Sequence, residues 1–215
     1  MNLADFIEHT LLKPEATNEE LKKLFTEAKQ HKFKGICVNP INVKMAKDFL
    51  KNTGVKIVTV VGFPLGASLP EVKAFEAKKA IEDGADEIDM VITIQAVKNK
   101  EWEYVKKDIA EVKKACGTHI LKVIIETDLL TDEEIIKSCE VAVEAGADFV
   151  KTSTGFVKGG VGAKVEDVRT MNEVVKSTSV QIKASGGIKD KEKALMLIEA
   201  GASRLGTSSG VEINA

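Results

Sequence analysis

Lys151 follows the apolar pair Phe149-Val150 and opens directly onto Thr152-Ser153-Thr154-Gly155-Phe156. The run before it is short, β-branched and aromatic, which suits a buried strand, and lysine is among the side chains least often buried. A desolvated lysine, or one beside a second cation, has a lowered pKa, and its neutral amine attacks a carbonyl to form a Schiff base. On this stretch alone, a strand-end lysine reaching solvent along its stem fits equally well. Three more strand-like runs carry a charge among apolar neighbours: Asp89 in Glu87-Ile88-Asp89-Met90-Val91, Lys122 in Leu121-Lys122-Val123-Ile124, and Lys183 in Gln181-Ile182-Lys183-Ala184-Ser185. A second lysine near Lys151 lowers its pKa, and a carboxylate between them keeps the second lysine charged and can move protons. Lys183 and Asp89 suit those roles. Lys122 either adds to the same field or balances the aspartate. Two loops of small residues, Ser185-Gly186-Gly187-Ile188 and Gly206-Thr207-Ser208-Ser209-Gly210, offer backbone N–H groups and hydroxyls of the kind that hold a phosphate.

These residues need elements that bring them together. Short apolar runs alternate with charge-rich amphipathic segments, the pattern of a parallel sheet wrapped by helices. Strands are expected at His9 to Leu12, Gly35 to Val38, Lys56 to Val61, Glu87 to Ile92, Leu121 to Glu126, Phe149 to Ser153, Gln181 to Ala184 and Arg204 to Thr207. Thr17 with Glu20, Ser68 with Glu71, and Thr131 with Glu134 have the spacing of helix capping boxes, and Asn39-Pro40 offers a cap followed by proline. The segments Asp83-Gly84-Ala85-Asp86, Ala145-Gly146-Ala147-Asp148 and Ala200-Gly201-Ala202-Ser203 each stand between a helix and a strand, so one βα unit is reused. Eight such units predict an α/β fold, a single (β/α)8 barrel over residues 1–215. An open doubly wound sheet is the rival, but no Gly-x-Gly-x-x-Gly run opens a first helix. In a barrel, Asp89, Lys122, Lys151 and Lys183 lie on adjacent strands and face inward, while Ile88, Met90, Ile182 and Ala184 face the helices. The two glycine loops then follow strands seven and eight, where barrels bind phosphate.

The balance of 31 basic and 33 acidic residues leaves a net charge of -2 with no basic field, which argues against nucleic acid and anionic membranes as partners. The first residues lack a basic region followed by an apolar core, and no run approaches the roughly 20 apolar residues of a membrane span, so a cytoplasmic protein is expected. Cys37, Cys116 and Cys139 are odd in number and widely spaced, which indicates reduced thiols and neither a disulfide framework nor a zinc site.

Phe149 to Phe156, with Glu87 to Val91, Lys122 to Glu126 and Lys183 to Gly187, resembles the deoxyribose-phosphate aldolase family, and the likeness runs from Ile7 to Ser209. The resemblance implies a class I aldolase without metal or cofactor that interconverts 2-deoxyribose 5-phosphate with acetaldehyde and glyceraldehyde 3-phosphate. Lys151 matches the family's Schiff-base lysine, and Asp89 and Lys183 match its proton-relay pair. Lys122, Cys37, Thr154, Gly155, Gly186, Gly187, Ser208 and Ser209 are the substrate-binding candidates, and a homo-oligomer, dimer or tetramer, is expected. Two departures stand out. Glu8 occupies a position where the family usually has aspartate, and the chain ends Glu212-Ile213-Asn214-Ala215, so a terminal tyrosine that assists proton transfer in some members is expected to be missing. Two other readings of the residues keep the barrel. A sugar-phosphate isomerase or epimerase would use Lys151 only as an electrostatic clamp, and a binding protein would not turn its ligand over.

Overall fold

Each expected helix–strand boundary marks a real turn of the chain, and together they close a barrel. The computed structural model describes residues 2–215, so only Met1 of the expected span lies outside it. The strands are β1 (Ile7–Leu11), β2 (Gly35–Val38), β3 (Lys56–Val61), β4 (Glu87–Val91), β5 (Ile120–Ile124), β6 (Phe149–Lys151), β7 (Gln181–Ser185) and β8 (Arg204–Thr207). Between and after them run α1 (Asn18–His31), α2 (Val43–Phe49), α3 (Pro70–Glu82), α4 (Ile94–Lys98), α5 (Trp102–Cys116), α6 (Asp132–Glu144), α7 (Val165–Val175), α8 (Lys191–Glu199) and α9 (Gly210–Asn214). All neighbouring strands are parallel and β8 pairs with β1, giving the eight-stranded (β/α)8 barrel.

The capping boxes at Thr17–Glu20 and Thr131–Glu134 form as expected. The one at Ser68 does not. Pro70 takes the first position of α3, which moves the cap to Leu69 and leaves Ser68 one residue too early to reach the first turn. Asn39 likewise makes no cap bond and instead donates to the Leu12 carbonyl at 3.1 Å. In the repeated helix ends, Gly84, Gly146 and Gly201 all have positive φ, which a side chain would resist.

Strand alternation sorts the interior into two layers. Ile88, Met90, Ile182 and Ala184 are buried with the helix residues in the main apolar core, as expected for outward-facing positions. Inward, Cys37, Val58 and Val60 pack with Leu12 in a separate small cluster. Where the boundaries differ from expectation, the polar residues decide. β1 begins at Ile7, not His9, so Glu8 is a strand residue; β5 stops at Ile124 and β6 at Lys151, leaving Glu126 and Ser153 in the loops that follow.

One buried ion pair fastens the outer layer to the barrel. Lys73 on α3 lies 2.7 Å from Asp108 on α5, both fully buried, and also donates to the Val91 carbonyl at 2.9 Å. Asp108 accepts from the Thr93 N–H at 3.0 Å, so the pair pins the loop just past β4. Lys73→Met leaves Asp108 buried without its cation, and urea unfolding is expected to read a loss of about 3–5 kcal/mol.

Candidate active site

Closing the barrel turns register into chemistry. Asp89 pairs across to Lys122, and Lys151 pairs across to Lys183. One carboxylate then serves three lysines: the Nζ atoms of Lys151 and Lys183 each lie 2.7 Å from Asp89 Oδ2, and Lys122 Nζ lies 3.0 Å from Oδ1. Asp89, Lys122 and Lys183 are fully buried and Lys151 nearly so. The network continues downward. Lys183 also bonds Glu8, while Lys122 lies 2.6 Å from Glu87 and 3.3 Å from Glu8. Arg204 closes it at 3.6 Å from Glu8 and 3.9 Å from Glu87.

Counting charge in this buried set identifies the odd group. Glu8, Glu87 and Asp89 balance Lys122, Lys183 and Arg204, which leaves Lys151 as a cation without its own counter-ion. Burial pushes the Lys151 amine down, and Lys183 adds to this, against the pull of Asp89; its pKa falls below the usual lysine value. Burial acts on Lys183 and Lys122 too, but Asp89 and Glu8 outweigh it, and both are raised. Burial alone would raise Asp89 and Glu8, yet the surrounding lysines hold both carboxyls below their ordinary values, Asp89 well below. Of the three lysines on Asp89, only Lys151 is driven toward the neutral amine. A neutral amine between a charged lysine and a carboxylate can add to a carbonyl and exchange protons with its neighbours.

Above this cluster lies a cleft of about 320 Å³ at the C-terminal end of the barrel. Lys151, Thr154, Gly155, Phe156, Ser185, Gly186, Gly187 and Ser208 are on its wall. Ligands bind at this end of (β/α)8 barrels.

Comparison with known proteins gives the family of the whole chain. Residues 4–213 match the model of the DeoC/LacD family aldolases. The chain belongs to the DeoC/LacD aldolase family. It is 59% identical to the deoxyribose-phosphate aldolase of Thermococcus kodakarensis, over 98% of this chain and 95% of that one. The deoxyribose-phosphate aldolase of Clostridium tetani is 55% identical, covering 99% of this chain and 98% of its own. Among solved structures, a tetrameric deoxyribose phosphate aldolase from Aeropyrum pernix superposes with a TM-score of 0.91 at 34% identity, covering 99% of this chain and 89% of that one.

Within this DeoC/LacD aldolase barrel, Asp89, Lys122, Lys151 and Lys183 meet, and Thr154, Gly155, Gly186, Gly187 and Ser208 share the cleft wall above them. Besides the buried Asp89, Lys122 and Lys183, two candidates lie off that wall. Cys37 is fully buried on β2, and burial pushes its thiol up. Ser209 turns into the start of α9, its N–H on the Thr207 hydroxyl at 2.9 Å. Tyr104 lies on α5 and is partly exposed. Glu8, Glu87 and Arg204 join the cluster beyond the residues the sequence singles out: Glu87 and Arg204 open their strands, where a charge reads as solvent-facing, and Glu8 precedes the expected strand start at His9. The one signal for Glu8 was its place in the position where the family usually carries aspartate.

Proposed function

We propose that this protein is a class I aldolase that cleaves 2-deoxy-D-ribose 5-phosphate reversibly to acetaldehyde and D-glyceraldehyde 3-phosphate, with Lys151 as the Schiff-base lysine and Asp89 and Lys183 as its proton relay. The observation that carries this reading is Asp89 bridging three buried lysines of which only Lys151 has a lowered pKa. The full-length likeness to proteins of that name supports the substrate.

Neutral Lys151 adds to C1 of the open-chain sugar, and with one proton supplied by the Asp89–Lys183 relay water leaves, giving an iminium. Asp89, directly or with Lys183, takes the C3 hydroxyl proton. The C2–C3 bonding electrons move toward the iminium, so glyceraldehyde 3-phosphate departs as an aldehyde and an enamine remains on Lys151. A proton returned to C2 gives the iminium of acetaldehyde, and water hydrolyses it to acetaldehyde and the neutral Lys151 amine, the released proton passing back to the relay. Proton transfer by positioned groups of this kind typically contributes about 10² to 10⁴-fold. The phosphate rests at the Gly186–Gly187 turn and Ser208, with Thr154 and Gly155 opposite, and its binding energy fixes the reacting end. Ser209 assists through its loop, Lys122 holds Asp89, and Cys37 fills the interior on β2.

The decisive test is incubation with acetaldehyde and borohydride followed by peptide mapping, which is expected to place a reduced adduct on Lys151. No adduct would remove the aldolase reading and favour an isomerase. The pH dependence follows from the sign of the shift. Lys151 must be neutral to attack, so the rate of adduct formation rises with pH, and its midpoint is expected below 10.5, the ordinary lysine value.

The whole chain is proposed to act as one barrel domain in a homo-oligomer, dimer or tetramer. Leu69 at the cap of α3 and Val72 and Phe75 on that helix are exposed, and the similar Aeropyrum pernix enzyme is tetrameric. No helix among the described residues is long and apolar enough to cross a membrane, and the three cysteines are unpaired, which supports a cytoplasmic setting.

A further inference from the structure

The segment between β6 and α7 has no regular structure and contains Gly155, Gly159, Gly160 and Gly162. A chain so rich in glycine does not hold one shape by itself. It nevertheless forms part of the cleft wall, through Thr154, Gly155 and Phe156. Two carboxylates from the loop after β5 hold its two ends. Glu126, nearly fully buried, accepts the Thr154 N–H at 3.1 Å and also the Thr154 hydroxyl proton. That hydroxyl in turn accepts the Phe156 N–H at 3.1 Å. Asp128, its side chain 8% exposed, accepts the Gly162 N–H at 2.8 Å and the Val161 N–H at 3.3 Å.

The backbone of Glu126 shows that this aim is imposed. Its φ is +62°, a left-handed conformation that side-chain-bearing residues rarely adopt. The loop ends it holds press against the turn after β7. Ala163 N–H donates to the Ser185 and Gly186 carbonyls at 3.0 and 3.1 Å. A Cβ on Gly162 would come within 2.4 Å of the Gly186 backbone, and one on Gly186 would come within 3.5 Å of Gly155. Both ends of the loop therefore converge on one glycine of the proposed phosphate turn. Neither carboxylate bonds Lys151, Lys183 or Asp89.

We propose that Glu126 and Asp128 are positioning residues that staple the 154–162 loop against the Gly186–Gly187 turn, and so set the affinity of the site for the phosphorylated end of its substrate. This rests on the aldolase reading for its substrate, but the staple is a property of the loops alone. The hydroxyl of Thr154 has a single hydrogen, committed to Glu126 while its oxygen accepts from Phe156. An amide in place of the Glu126 carboxylate presents a second donor and breaks that sequence.

The full-length chain carrying Glu126→Gln or Asp128→Asn is expected to show a KM for 2-deoxyribose 5-phosphate about tenfold higher, with kcat lowered less than about twofold, the loss of one charge-assisted bond. With unphosphorylated 2-deoxyribose, KM is expected to move less than about twofold. Gly162→Ala, which forces the loop off Gly186 without removing a carboxylate, should give the same KM rise. Thr154→Ser should recover most of the affinity that Thr154→Val loses. Equal losses on both substrates, a fall in kcat at constant KM, or an unchanged KM in Gly162→Ala would overturn the proposal. Titration with inorganic phosphate separates the two readings. If the wild-type protein forms no adduct on Lys151 yet binds phosphate about tenfold more tightly than the variants, the aldolase reading fails and the staple stands; equal phosphate affinities in wild type and variants overturn the staple.

Discussion

Lys151→Met is expected to lower aldol cleavage by about 10⁴-fold or more, the scale on which nucleophile deletions act, while the melting temperature stays level or rises. Methionine is unbranched, of similar length, and fills the same interior space without a charge. The activity loss follows because neither neighbouring lysine can substitute. Lys183 and Lys122 are each held charged by Asp89 and Glu8, with pKa values raised above the usual lysine value. The stability result follows from the opposite shift on Lys151. A lysine whose folded pKa lies below its unfolded value binds fewer protons when folded. Its presence therefore weakens the fold at all pH values below the unfolded pKa, and stability climbs as pH rises through the interval between the two. Removing the amine removes that penalty and leaves three carboxylates facing three cations. Cleavage assays and thermal unfolding at neutral pH check both halves. Residual cleavage above about one hundredth of wild type would show that another group can act as nucleophile, contrary to the scale expected for its deletion. A clear fall in melting temperature would show that Lys151 stabilises the folded protein through its pairing with Asp89, contrary to a lowered pKa.

The parts of this site that alternation exposes were legible in the sequence. Asp89, Lys122 and Lys183 interrupt strands whose other residues are apolar, and Lys151 ends such a strand, so a closed barrel leaves them only the interior or its mouth. The reused Gly-Ala helix end made the repeat visible, and with it the barrel. Glu8 was hidden for a different reason. It meets Lys183 across 175 positions of sequence, through the β1–β8 closure that no local pattern announces. Glu87 and Arg204 stand at the first positions of β4 and β8, where a charge ordinarily faces water; here the floor of the barrel pairs them. Glu126 reads as the last residue of a strand in the sequence, but it lies in the following loop with a left-handed backbone and accepts from Thr154. The expected cap at Ser68 failed because proline, a strong helix starter, fixed the first turn one residue later. Local signals thus located the groups that break a pattern, and missed those whose burial depends on a distant partner.

Asp89→Asn separates bond breaking from Schiff-base formation. Asp89 touches all three lysines, so its loss leaves Lys122, Lys183 and Arg204 facing only Glu8 and Glu87, with one positive charge in excess before Lys151 is counted. With the upward pull of Asp89 gone, the Lys151 pKa stays lowered at least as far as before. Adduct formation with acetaldehyde and borohydride is therefore expected to persist, while turnover of 2-deoxyribose 5-phosphate falls by about 10² to 10⁴-fold because the C3 hydroxyl has lost its base. The same change is expected to cost about 3–5 kcal/mol of stability at neutral pH, as removing one partner of a buried ion cluster does. The cost has a pH signature. The folded Asp89 carboxyl lies well below its ordinary value of 3.8, so its contribution is present above that value and is lost as pH falls toward the folded one. Asparagine does not titrate, so the stability gap between wild type and variant should narrow as pH drops below 3.8. Loss of the borohydride adduct along with turnover would move Asp89 to the imine-forming step. A gap that stays constant through the acid range would mean that the aspartate holds the barrel by shape rather than by charge.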